Sequence, residues 1–160
     1  MIKKIFIFIV LFLILNGCTT VTPQKQESAF IVMKTAKFKY ADMGFISSDS
    51  SVVKVEIYGA GQPLMSLEIN GMNVCMSTFK CLEKKDFNAE ILSSSYPETL
   101  LENIFRAKPI FNKKSLVKTE DGFRQKLTKE DEYDISYSVK ENQRIFRDSL
   151  NKILIKVREE

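Results

Sequence analysis

Between Phe38 and Ser77, and again from Phe123 to Val157, apolar side chains recur at every second position, and this period constrains the fold more than any other feature. Val53, Val55 and Ile57 fall on one side of an extended backbone while Lys54, Glu56 and Tyr58 fall on the other. Gly59-Ala-Gly-Gln-Pro then breaks the run, Leu67 and Ile69 resume it, and Asn70-Gly71 supplies a strong hairpin signal. The later block repeats the pattern with Phe123 to Leu127, then Ile135, Tyr137 and Val139, then Ile145-Phe146, then Ile153, Ile155 and Val157. Glu120-Asp-Gly, Lys140-Glu-Asn and Ser149-Leu-Asn mark the turns. Successive side chains of a strand point to opposite faces, so the pattern predicts antiparallel strands with one face to bury and one to leave wet.

The middle of the chain changes period. Asp86 to Leu92 reads as a short helical turn, and Ser95 with Glu98 forms an S-x-x-E capping box for a second helix. Leu100, Leu101, Ile104 and Phe105 then make one apolar stripe that ends at Lys108-Pro109. The order is therefore meander, helix pair, meander. The predicted class is α+β, mainly antiparallel β. Its architecture is a curved open sheet, a half-barrel, with the helices packed on the concave side, because nothing else can cover their stripes.

The termini of the domain follow from composition. Lys3 and Lys4 precede an eleven-residue apolar run, residues 5–15, which has the length of a signal peptide and is too short to span a bilayer. Leu15-Asn-Gly-Cys18 resembles the bacterial lipobox, so residues 1–17 are expected to be removed and Cys18 to carry lipid. Residues 18–29 read as a polar tether containing Pro23, and residues 30–160 as a single domain. Thr19 follows the cysteine where an aspartate would favour the inner membrane, which points to the periplasmic face of the outer membrane.

Charge and residue types narrow the function. Without Lys3 and Lys4 the chain has 22 basic against 20 acidic residues, with no basic stripe of the kind nucleic acid needs. The absence of histidine excludes the usual serine triad, and the acidic run Glu130 to Asp134 reads as turn charge, so no catalytic residue, metal ligand or cofactor is expected. Cys75 and Cys81 have five residues between them in an exported domain, where a local disulfide is the expected pairing. Twelve phenylalanines and six methionines, with no tryptophan, suit either a packed core or an apolar cavity.

Three stretches, taken in order, carry a resemblance to a known family. They are Val55-Glu-Ile-Tyr-Gly-Ala-Gly with Met65-Ser-Leu-Glu-Ile; Tyr96-Pro-Glu-Thr-Leu-Leu-Glu-Asn-Ile-Phe-Arg-Ala-Lys-Pro-Ile; and Ile145-Phe-Arg-Asp-Ser-Leu-Asn-Lys-Ile-Leu-Ile-Lys-Val. Together they resemble the hairpin, the plug helix and the closing strands of LolB-type outer-membrane lipoprotein receptors, and they cover less than half the chain beyond residue 17. The family's helix tryptophan matches Phe105 and its following glycine Lys108. The leucine exposed by the family's hairpin matches Ala60, with Leu64 and Met65 standing just beyond the turn as its replacements.

The resemblance implies an acceptor that binds the acyl chains of lipoproteins delivered by a LolA-like periplasmic carrier and helps insert them into the outer membrane. Val53, Val55, Ile57, Leu67, Ile69, Ile135, Tyr137 and Phe146 would line its cavity from the sheet, and Leu101, Ile104, Phe105 and Ile110 from the plug. Ala60, Gly61, Leu64 and Met65 would form a membrane-facing hairpin. The membrane, through the lipid on Cys18, and lipoprotein cargo are the expected partners of a monomer. The alternative is a scaffolding envelope lipoprotein with a filled core that binds a protein through an edge strand or loop.

Overall fold

The structure, a computed structural model, describes residues 25–77 and 80–160. The signal peptide, Cys18 and tether residues 18–24 therefore lie outside the described residues.

The described residues form eleven strands: β1 (Lys25–Lys34), β2 (Lys39–Ser48), β3 (Val53–Gly59), β4 (Gln62–Ile69), β5 (Asn73–Met76), β6 (Lys80–Glu83), β7 (Leu116–Thr119), β8 (Gly122–Lys129), β9 (Tyr133–Lys140), β10 (Gln143–Asp148) and β11 (Ile153–Glu159). All join one open sheet in the order β6-β5-β4-β3-β2-β1-β11-β10-β9-β8-β7, every neighbouring pair antiparallel. The two meanders meet where β1 pairs with β11, Ile31 opposite Val157 and Met33 opposite Ile155. Helices α1 (Lys84–Ile91) and α2 (Leu100–Phe105) and a single 3₁₀ turn at Phe111–Lys113 lie between the meanders.

Alternation sorts the strands as expected. Val53, Val55, Ile57, Leu67, Ile69, Ile135, Tyr137, Ile153, Ile155 and Val157 are buried, while the residues between them are partly or fully exposed. Phe87, Ile91, Leu100, Leu101, Ile104 and Phe105 of the helices belong to the same hydrophobic cluster as that buried face. Strand direction gives the sheet two rims. The lower rim carries the start of β1 and the turns at residues 49–52, 70–72, 120–121 and 141–142; the upper carries residues 35–38, 60–61, 130–132 and 149–152.

Two expectations need correction, and one apolar run has no expected element. The sheet begins at Lys25, inside the stretch expected to be tether, because residues 25–29 pair with Gly44–Ser48 of β2 through backbone hydrogen bonds that need no apolar side chains. The second helix begins at Leu100 rather than after Ser95, and Thr99, its N-cap residue, makes no side-chain capping bond. Pro97 accounts for this, since it biases Tyr96 away from helical backbone; the Ser95 hydroxyl instead sits 2.8 Å from that of Ser93. Finally, the run Ala29 to Met33 is a full strand with no polar alternation, Ala29, Ile31 and Met33 buried and Phe30 and Val32 on the outer face.

Cys75 and Cys81 are disulfide-bonded directly across the β5–β6 ladder. The bond closes a loop far shorter than 15 residues, so replacing both cysteines by serine should preserve the fold and lower the unfolding free energy by less than ~3 kcal/mol. Urea titration of the two proteins checks this, and loss of the cooperative transition in the variant would contradict it.

Candidate functional site

The twelve residues expected to line a cavity all belong to one core. Val53, Val55, Ile57, Leu67, Ile104, Ile110, Ile135 and Phe146 expose 0 % of their surface, and Ile69, Tyr137, Leu101 and Phe105 at most 2 %. A space able to admit a water molecule would leave accessible surface on its walls. The expected cavity is therefore closed against these residues, and they form a packed core. The helical insertion, residues 84–115, fills the space, and its Tyr96 and Phe111 extend an aromatic cluster with Tyr133, Tyr137 and Phe146 of the sheet. Open clefts lie elsewhere: one of about 310 Å³ at the lower rim, reached by Phe105 and lined by Lys25, Glu27, Arg106, Arg144 and Glu159, and a groove of about 440 Å³ beside β7 to β10, reached by Tyr137.

Polar groups pin the insertion to the sheet at three places. At the lower rim Glu102 of α2 accepts hydrogen bonds from Lys84 Nζ at 3.0 Å and Arg106 Nε at 3.0 Å. Burial raises the Glu102 carboxyl pKa, but the Lys84 and Arg106 cations more than offset this and hold it below its ordinary value. The Arg106 guanidinium also donates to the carbonyls of Asp49 (2.7 Å) and Val52 (3.3 Å) in the β2–β3 turn. That turn is itself fixed by the Asp49 carboxylate, which accepts from the Ser51 and Val52 N–H groups.

At the upper rim the Tyr96 hydroxyl donates to buried Asp148 at 2.5 Å. Burial, and then that bond, push the Tyr96 phenol well above its ordinary value. Asp148 also accepts from the N–H groups of Asp134, Leu150 and Asn151 and from the Asn151 amide. Burial opposes its ionisation, but the bonds from Tyr96 and Asn151 keep it below the usual carboxylate range.

Between these sites Gln125 of β8, 2 % exposed, accepts from Ile110 N–H (2.8 Å) and donates to the carbonyls of Ile110 (2.9 Å) and Lys114 (2.7 Å). The stretch it clasps holds Phe111, Asn112 and Lys113 in left-handed backbone, φ 45°, 52° and 65°, a conformation that non-glycine residues resist.

A fourth buried polar residue, Arg144 of β10, pairs with Glu27 at 2.8 Å and Glu159 at 3.3 Å. Burial works against the Glu27 charge, but Lys25 and Arg144 hold its pKa down, whereas burial and the Glu27 charge push Glu159 up. Among the described residues, Arg144 Nε and the Tyr137 hydroxyl have no hydrogen-bond partner.

The expected membrane-facing hairpin is a two-residue loop, Ala60 and Gly61, both at positive φ (50° and 78°), as a type I′ turn requires. A register shift at Ile57/Tyr58 makes Leu64 a bulge residue. Leu64 is 48 % exposed, and its Cδ1 lies 2.6 Å from where a Cβ on Gly59 would sit, so a larger residue at 59 would have to displace the Leu64 side chain. Met65 is a correction: it is buried in the core opposite Ile57 and cannot face a membrane.

Gln125, Arg144, Asp148 and Tyr96 were not singled out by sequence reasoning. Gln125 stands in phase with Phe123 and Leu127, and Arg144 and Asp148 in phase with Phe146. A polar residue on the apolar phase was the signal that could have found them.

The pins are testable by substitution. Gln125→Leu should cost about 2 kcal/mol or more, because it leaves the Ile110 N–H and the Lys114 carbonyl without partners and the Ile110 carbonyl with only the Lys113 N–H, measurable by urea denaturation. Asp148 has a depressed pKa in the folded state, so its contribution is present above its unfolded pKa and is lost as pH falls through the folded one. Asp148→Asn should therefore lower stability by about 2 kcal/mol at neutral pH and flatten the acid limb of a Tm–pH profile; an unchanged limb would contradict the assignment.

Compared with known proteins, the chain matches no family model and no curated protein.

Proposed function

We propose that the chain is a non-enzymatic acceptor of lipid-modified proteins, anchored through Cys18 to the periplasmic face of the outer membrane and supplied by a LolA-like soluble carrier. In this reading the sheet is a half-barrel, the helices sit on its concave side, and residues 84–115 are a displaceable plug. The observation that carries it is the arrangement of an open antiparallel sheet, a single apolar face and a helical insertion between its two halves. That is the architecture the resemblance implies. An acyl chain would enter by replacing plug side chains such as Leu101, Ile104 and Phe105 against the sheet. Its own buried apolar surface, at about 25 cal/mol per Å², would offset the burial that those side chains give up. Arg106 is the natural latch, because it joins the end of α2 to the β2–β3 turn by two hydrogen bonds.

The filled core favours a second reading, a scaffolding lipoprotein that binds an envelope protein through an edge or loop. Edge strands β6 and β7 are four residues each, which leaves little ladder to offer a partner.

A transfer assay separates the two. The chain, reconstituted in vesicles, is given a fluorescent triacylated lipopeptide on a soluble carrier. In the acceptor reading the native protein takes up the probe and Arg106→Ala takes it up several-fold faster, because the plug has lost its latch. No uptake by either protein would remove the acceptor reading and leave the scaffold.

A further inference from the structure

From the outer face of β1 to β3 we infer a membrane-docking flank, on which the domain lies sideways against the bilayer; the inference rests on lipidation of Cys18. Phe30 of β1 stands opposite Met43 of β2, and Val32 opposite Ala41. Met43 and Phe45 are 41 % and 40 % exposed, and the Phe45 and Tyr58 rings meet edge to face at 5.9 Å. Strands that read as continuous apolar runs are ordinarily covered on both faces. The run Ala29 to Met33 reads that way, yet Phe30 and Val32 stay partly exposed on the outer face.

The length of chain ahead of β1 identifies the cover. Six residues, 19–24, separate the lipidated cysteine from Lys25, and the seven Cα–Cα steps between them reach at most about 25 Å fully extended. β1 itself, ten residues, is about 33 Å long. The tether therefore cannot run back along β1, so the domain cannot stand on its upper rim. Standing on its lower rim would turn Asp49, Glu120, Asp121, Glu141 and Glu160 towards lipid headgroups, and the cations beside them, Lys25 and Lys140, are paired with Glu27 and Asp121, so an anionic surface gains no net attraction there.

The flank has the opposite character. Its apolar and aromatic centre is bordered by Lys34, Lys39, Lys156 and Arg158, with the Arg158 guanidinium 5.9 Å from the centre of the Phe30 ring, and the one acid beside Phe45, Glu56 of β3, is paired with Lys54 at 2.8 Å. Aromatic rings amid basic residues are the chemistry of a membrane interface. Docked this way, β1 lies along the bilayer, and its tether is long enough without being stretched.

The chain contains no tryptophan, so one introduced residue reports its own surroundings. Phe45→Trp on the flank and Ser136→Trp on the outer face of β9 are each expressed as the full lipoprotein and placed in anionic phospholipid vesicles containing brominated lipid. At headgroup–acyl depth the Phe45→Trp emission should fall by roughly half, and the Ser136→Trp emission should not change. Equal quenching at both sites, or none at residue 45 in protein that floats with the vesicles, overturns the flank. Metabolic labelling with a palmitate analogue reads the anchor separately: an unlabelled chain overturns the lipidation reading, and the flank with it. A Phe45→Trp emission that is blue-shifted yet unquenched overturns the flank in favour of a protein partner on the same face.

Discussion

Burial of the helical insertion against the buried face of the sheet is the interaction on which the rest of the structure depends. Among the described residues neither meander has a second sheet to cover it, and β1–β11 pairing joins them edge to edge without shielding either face. Phe87, Leu100, Leu101, Ile104, Phe105 and Ile110 supply the cover, all but inaccessible to solvent. At about 2 kcal/mol for each fully buried large side chain, they outweigh polar pins that contribute about 1 kcal/mol per hydrogen bond. Apolar burial thus holds the insertion in place, and the pins decide where it sits. An occupant able to replace it has to be comparably apolar, and long acyl chains meet that requirement.

The pins are polar residues on a face otherwise given to hydrocarbon, and each is tolerated only because its partners are present. Gln125 supplies the Ile110 N–H and the Lys114 carbonyl with partners that the left-handed stretch between them does not. Asp148 gathers the β10–β11 turn and the loop between the helices around one carboxylate. Arg106 reaches two backbone carbonyls at the opposite rim. The insertion is therefore fastened at both rims of the sheet and in between, by bonds that can re-form in water at little net cost.

Much of this fold was legible along the chain, since a period of two reports directly which side chains share a face. The strands around Val53 to Ile69 and Ile135 to Val157, the turn at residues 59–63 and the Cys75–Cys81 bond were all readable in that way. β1 was not, because a continuous apolar run carries no period, and residues 25–28 have no apolar side chain to mark a strand. The start of α2 was misplaced because a capping box is a local signal, while Pro97 and the bond from Tyr96 to Asp148 act against it. Of the candidate site, the identity of the buried face was legible; the closure of its interior was not.

The amino-acid order by itself determined which residues turn inward, where the strands break and that a helical segment must cover the sheet. These are properties of alternation, stripe and turn chemistry, all read within a few residues. Tertiary structure alone decided that the interior is filled, that Met65 is core while Leu64 stays at the surface, and that Phe30, Met43 and Phe45 gather on one flank. Each of those depends on register between strands, or on how closely side chains from distant parts of the chain approach one another. Neither quantity is contained in the spacing of residues along one strand.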